Sequence, residues 1–222
     1  MSLIKELSGK IVENKQKDLT DYLIKKMFEV DSNNKTFRAV FTNYSKGYYQ
    51  DGKRVNSIHE SVIKAKITFK KPLNALLEVI DSPKEIAKGS TLLYTGGDKV
   101  KVRAAGILGI IPINFSIDDP MFSDTRNHKI LATIDGLKRI KEEGTKIELE
   151  GKSKLNNREI YLLKIDTPKK LDSEITHEIY GVDSETFVVM LNEMYIGDEM
   201  VSQYMVQDIQ TNISLEDDFF KL

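Results

Sequence analysis

The sequence predicts a mainly β protein of the α+β class, built on an antiparallel sheet with one dry face and one wet face. Three observations predict it. The first thirty residues have the apolar spacing of a helix, the chain from residue 35 onwards alternates apolar and polar residues, and turn residues recur about every 10–14 positions. Few helices interrupt these strands, so the pattern indicates a meander behind an N-terminal helical segment.

The helical segment covers residues 1–31. Leu19, Leu23 and Met27 repeat every four residues with charged side chains between them, which is typical of a helix with one apolar stripe. The spacing fits one long helix or two shorter ones. Asp31 and the Ser-Asn-Asn that follows it favour turns, because their side chains bond to nearby backbone groups, and they predict the end of the helix.

The clearest strand is residues 63–70, where Ile63, Ala65, Ile67 and Phe69 alternate with polar residues. Residues 44–55 contain Gly47 and Asp51-Gly52, which predict either a long polar turn or a frayed hairpin. A second helix is expected near 135–143, ended by Gly144. Further strands are expected at 36–41, 75–80, 91–94, 100–104, 146–150, 159–166, 174–182, 186–195 and 200–208.

Composition excludes several classes of function. The chain has 222 residues and no linker, so we expect one domain over 1–222, with a sheet over 35–222. Lys plus Arg number 33 against 34 Asp plus Glu, and this balance gives no field that would collect nucleic acid. The absence of cysteine excludes disulfides, Cys nucleophiles and thiolate metal sites.

No catalytic or metal-binding pattern is visible. His59, His128 and His177 lie far apart, and none has a metal ligand at the right spacing. The turn Thr95–Lys99 resembles a phosphate loop but lacks the second glycine–lysine–hydroxyl element, so a hairpin turn is the better interpretation. We therefore expect no cofactor, no metal, no catalytic residue and no enzymatic activity.

The segment Ala104–Phe115 is uncharged, apolar and broken by Gly106, Gly109 and Pro112. It is too short to span a bilayer and too irregular for a core helix. Two interpretations stay open. The segment is either a buried connection in the core or an apolar lining of a ligand cavity, which a one-faced sheet with few helices would leave uncovered.

Several motifs resemble a subgroup of the LolA-like proteins. They are the stretch Leu93–Arg103, the Gly-Ile-Leu-Gly at 106–109, Asp119-Pro120, Asn127–Ile130 and Gly136-Leu137, the turns at 182–186 and 197–199, and a C-terminal finish with Asn212 and Phe219-Phe220. The resemblance implies an incomplete, curved antiparallel β-barrel, a half-barrel, whose concave face is covered by the N-terminal helix and the helix near 135–143.

The same resemblance implies that a lipid, an acyl chain or a lipoprotein binds in the half-barrel, without catalysis. The expected lining residues are Phe37, Phe41, Ile67, Phe69, Tyr94, Val102, Leu108, Ile111 and Phe115. We expect an extracytoplasmic monomer of the cell envelope, from which a native signal or lipid anchor has been removed ahead of Met1-Ser2-Leu3. The alternative is an envelope sensor with a self-filled barrel that binds a membrane-associated protein partner.

Overall fold

The computed structural model describes residues 3–50, 53–106, 111–116, 137, 140–166, 175–216 and 218–222. It confirms the mainly β fold. Within these residues the longer elements are the helix α1 (Leu3–Asn33) and the strands β1 (Thr36–Gln50), β2 (Lys53–Lys70), β3 (Asn74–Asp81), β4 (Thr91–Tyr94), β5 (Lys99–Arg103), β6 (Ile113–Ser116), β7 (Lys146–Leu155), β8 (Arg158–Asp166), β9 (His177–Asp183), β10 (Val189–Ile196) and β11 (Glu199–Thr211).

The strands form a single curved sheet in the order β6-β5-β4-β3-β2-β1-β11-β10-β9-β8-β7, and each neighbouring pair is antiparallel. The first and last strands therefore meet in the middle of the sheet. Because β6 and β7 remain edges, the sheet does not close and forms an open half-barrel.

The N-terminal segment is one continuous helix of 31 residues. Its apolar stripe places Leu23 and Met27 in a buried cluster with Leu163 and Tyr180 of the sheet. The Gln16 side chain also donates a hydrogen bond of 2.6 Å to the carbonyl oxygen of Leu149. Burial of the stripe holds α1 on the half of the sheet formed by β7, β8 and β9.

Two polar contacts fix the passage from α1 into β1. Lys71 Nζ lies 3.1 Å from the carboxylate of Asp31 at the end of the helix and also donates to the backbone carbonyl of Asp31. Asn212, directly after β11, accepts a 3.0 Å hydrogen bond from the backbone N–H of Lys35 on its side-chain oxygen. These contacts attach the link between α1 and β1 to the residues that directly follow β2 and β11.

The segment 44–55 is a hairpin rather than a long polar turn. β1 continues to Gln50 and β2 begins at Lys53, so the paired strands extend well beyond the alternating region. Where the hairpin begins, Lys46 lies opposite Glu60, and the hydroxyl of Tyr44 donates a 2.9 Å hydrogen bond diagonally across the ladder to Glu60. Such cross-strand pairs stabilise strands that have low apolar content.

The helix predicted near 135–143 falls largely outside the described residues. Leu137 and Ile140 are helical, and both pack against the same cluster as α1. Gly144 has a φ of 86°, the left-handed conformation expected at a helix end. The strand predicted from residue 186 begins only at Val189, because the residues after Asp183 form a turn.

Candidate functional site

The sheet is continuous from β6 to β7, and we call the face on which α1 packs the inner face. Residues directly opposite each other in neighbouring strands point to the same side, and side chains alternate along each strand, so the register assigns every position to a face. Because Leu163 and Tyr180 contact α1, the inner face is the one that the helix packs against.

Most of the predicted lining residues lie on the inner face. The register pairs Phe37 with Phe69 and Ala39 with Ile67, and continues outwards through Leu77, Leu92 and Val102. The inner-face members of the predicted set are Phe37, Phe41, Ile67, Phe69, Tyr94, Val102 and Phe115. Ile111 precedes β6 and is 73% exposed, and Leu108 lies outside the described residues. Whether these residues contact a ligand stays a prediction.

The inner face carries two apolar clusters with different surroundings. The helix-covered cluster combines α1 with β8 and β9. The open-half cluster is centred on Ala39, Ile67, Phe69, Ala75 and Leu77, with Phe37, Phe41, Leu92, Tyr94, Val206 and Ile209 packed around it. Within the described ranges, all members of the open-half cluster come from strands. This part of the inner face is therefore the candidate site.

Two polar rows cross the inner face beside the open-half cluster. In the first row, Asn43 of β1 lies opposite Ile63 and Tyr204, and Tyr204 lies opposite Asn192. In the second row, Ser61, Ser45, Ser202, Met194 and Glu178 follow one another across five strands. The inner face is thus apolar towards Phe37 and polar towards Ser45.

Glu178 and Asn43 are the most deeply buried side chains of these rows. Glu178 is 2% exposed and accepts a 2.9 Å hydrogen bond from the Asn192 side chain. Asn43 is 3% exposed, and its Oδ1 has no hydrogen-bond partner among the residues described. Neither residue is among the predicted lining residues. For Asn43 the sequence does hold a signal, because asparagine is depleted in strands.

The outer face carries a cluster of ionisable groups around His177 and Tyr195. The His177 and Tyr195 rings stack at 4.8 Å, and the Tyr195 hydroxyl donates a 2.7 Å hydrogen bond to Glu193. Burial, with the Glu193 carboxylate adding to it, raises the pKa of Tyr195 to about 12. Burial lowers the pKa of His177. These residues alternate away from Glu178 and Asn192, so they do not contribute to the inner face.

Two further observations concern the described parts of the chain. Their His, Asp and Glu residues do not gather in groups of three or more that could hold a metal ion. None of their helical residues form a helix long and apolar enough to cross a membrane.

Comparison with known proteins gives a likeness of fold. No protein-family model and no curated protein matches the chain. Among solved structures, a conserved protein from Thermus thermophilus has a TM-score of 0.52 and 7% identity, over 90% of this chain and 91% of that one. MucB also has a TM-score of 0.52, with 12% identity over 91% of this chain, which spans 62% of MucB.

A LolA superfamily protein from Nitrosomonas europaea is similar with a TM-score of 0.39 and 11% identity, over 91% of this chain and 97% of that one. At these identities the likeness concerns the fold, and the site has to be argued from the residues of this chain.

Proposed function

We propose that this protein binds the apolar chain of a lipid, or of a lipid-modified polypeptide, on the open half of its inner face. The observation that carries the proposal is the open-half cluster, an apolar surface built from five strands to which the described residues of α1 do not contribute. An acyl chain needs only such a surface, because it has no polar atoms to satisfy.

The free energy of this binding comes from apolar area. Removing apolar surface from water contributes about 25 cal/mol for each Å², and part of that gain is offset by the loss of freedom on association. Aromatic side chains bury the largest areas, and Phe37, Phe41 and Tyr94 are only half-buried in the structure. These three residues can gain contact area when a chain binds.

We place this activity in the cell envelope, with lipoprotein anchors or free lipids as the ligands. The support is the resemblance of the sequence to LolA-like proteins, whose best-known members carry lipoproteins. A carrier needs a reversible site, and a partly exposed apolar face without catalytic groups fits that requirement.

The test is binding of the fluorescent hydrocarbon diphenylhexatriene, with native mass spectrometry to detect lipid that copurifies with the protein. Saturable binding is expected for the unmodified chain. Phe41→Ser, on the inner face, is expected to weaken it about tenfold, because a buried Phe contributes roughly 1.5–3 kcal/mol. Val62→Ser is the matched control, because Val62 is 51% exposed on the outer face of the neighbouring strand.

A second candidate is a sensor whose barrel is filled by its own side chains. It is favoured by the burial of Ile67, Phe69 and Leu77, which are less than a tenth exposed among the neighbouring side chains of the protein itself. This candidate predicts no saturable binding of diphenylhexatriene and no copurifying lipid. That result would exclude the lipid-binding proposal.

A further inference from the structure

We propose that the ligand is a neutral amphiphile whose headgroup donates a hydrogen bond to Asn43, rather than a fatty acid or a plain hydrocarbon. This inference rests on the proposed function and specifies the chemical class of its ligand. It is carried by the buried amide of Asn43 and by the order of apolar and polar rows along the inner face.

The first argument is the environment of Asn43. Its oxygen is buried, and no hydrogen-bond partner for it exists among the described residues. On the inner face its neighbours across the ladder are Ile63 on β2 and Tyr204 on β11, and Phe41 is the next inner-face residue along β1. A buried acceptor without a donor is costly, so native proteins keep few of them, and those that exist call for a specific explanation.

The second argument is position. Asn43 stands between the open-half cluster and the half-buried serines Ser45 and Ser61. From Asn43 to Phe37 the strand advances six residues, about 20 Å at roughly 3.3 Å per residue. One leaflet of a bilayer has a hydrocarbon thickness of about 15 Å, half of the ~30 Å core. An extended acyl chain therefore fits between Phe37 and Asn43, with its headgroup at the polar rows.

The third argument is that the buried oxygen of Asn43 accepts hydrogen bonds and therefore needs a donor from the ligand. The Asn43 oxygen is an acceptor, and the buried carboxylate of Glu178 lies in the adjacent polar row. An ionised fatty acid offers only acceptors, so its carboxylate cannot donate a hydrogen bond to Asn43 Oδ1. A hydroxyl or an amide N–H supplies the missing donor without adding a charge. Acylglycerols carry the first group, and amide-linked acyl chains carry the second.

The experiment measures displacement of diphenylhexatriene from the full chain by four ligands with the same oleoyl chain: monooleoylglycerol, oleamide, methyl oleate and oleate. The first two donate hydrogen bonds, methyl oleate does not, and oleate is charged. We expect either or both donors to displace the probe at about tenfold lower concentration than methyl oleate, the effect of one hydrogen bond made to a buried acceptor. The donor that binds more tightly identifies hydroxyl or amide as the natural group.

The variant Asn43→Leu removes the acceptor and keeps a similar volume. It is expected to bind methyl oleate as the unmodified chain does and to lose the preference for donors. It is also expected to unfold at a higher temperature, because it removes an unsatisfied buried group. A higher unfolding temperature of Asn43→Leu would show that Asn43 does not stabilise the folded protein. Asn43→Ala is the second variant, in case leucine does not fit.

Three outcomes overturn the inference. They are equal affinities for all neutral ligands in the unmodified chain, a donor preference that survives in Asn43→Leu, and tightest binding of oleate. Survival of the preference would mean that an acceptor other than Asn43 receives the hydrogen bond of the headgroup. None of these outcomes affects the proposed function, which fails instead if no ligand displaces the probe and the probe itself does not bind.

Discussion

At the scale of single residues, the buried carboxylate of Asp183 organises the turn between β9 and β10. Its side chain is 1% exposed. Arg158 on β8 donates to both of its oxygens, at 2.6 and 2.8 Å, and Thr186 donates to it through its backbone N–H and its hydroxyl, both at 2.7 Å. One carboxylate thus fixes the end of β9, the turn after it and the start of the neighbouring strand.

This arrangement predicts a pH dependence of stability. Burial raises the pKa of Asp183, but the hydrogen bonds from Arg158 and Thr186 outweigh it and hold the pKa below its usual value of 3.8. The stabilisation is therefore complete above the unfolded-state pKa and is lost as the pH falls through the folded-state pKa. Asp183→Asn is expected to lower the free energy of unfolding by about 2 kcal/mol at pH 7 and by less at pH 2.

Urea unfolding at both pH values checks this prediction. Glu185→Gln is the control, because Glu185 lies 3.8 Å from Arg158 but is 84% exposed, and exposed pairs contribute little. Equal losses for Asp183→Asn at pH 7 and pH 2 would contradict the prediction.

At the scale of elements, the sequence predicts the strands well where one face is dry and poorly where both faces are polar. Ile63, Ala65, Ile67 and Phe69 alternate and lie in β2 as expected, on the face that holds the open-half cluster. The sequence of the outer half of the β1–β2 hairpin has no such alternation, so the apolar pattern does not predict its strands. Asn43 was not predicted for a different reason: its importance comes from neighbours on β2 and β11 that are distant in sequence.

The position of α1 gives a prediction at this scale. Leu23 is completely buried in the helix-covered cluster, whereas Lys25, two residues later, is exposed. Leu23→Ala is expected to lower the free energy of unfolding by about 3 kcal/mol through the lost contacts and the cavity left behind. Lys25→Ala is expected to change it by less than about 0.5 kcal/mol.

Chemical denaturation followed by far-ultraviolet circular dichroism measures both free energies. If Leu23→Ala costs as little as Lys25→Ala, α1 does not share a cooperative core with β8 and β9. In that case α1 would not be a stable cover for this half of the inner face.

At the scale of the whole molecule, the candidate site combines strands from the N-terminal part of the sequence with the last strand, β11. The open-half cluster takes residues from β1 to β4 and from β11, and these strands lie side by side only because the sheet order brings β11 against β1. A ligand that contacts this cluster therefore binds a surface that exists only in the folded state. Its binding free energy adds to the stability of the whole sheet.

This coupling predicts a rise in the melting temperature with ligand concentration. A neutral oleoyl lipid at about 100 times its dissociation constant adds about 2.7 kcal/mol of stability, and for a domain of this length each kcal/mol shifts the melting temperature by about 2–4 °C. A shift of roughly 5–10 °C is expected by circular dichroism, with a smaller shift for Phe41→Ser at the same lipid concentration and an unchanged shift for Val62→Ser. A melting temperature that stays constant as lipid is added would instead support a self-filled barrel, because such a barrel has no apolar surface left for a ligand to stabilise.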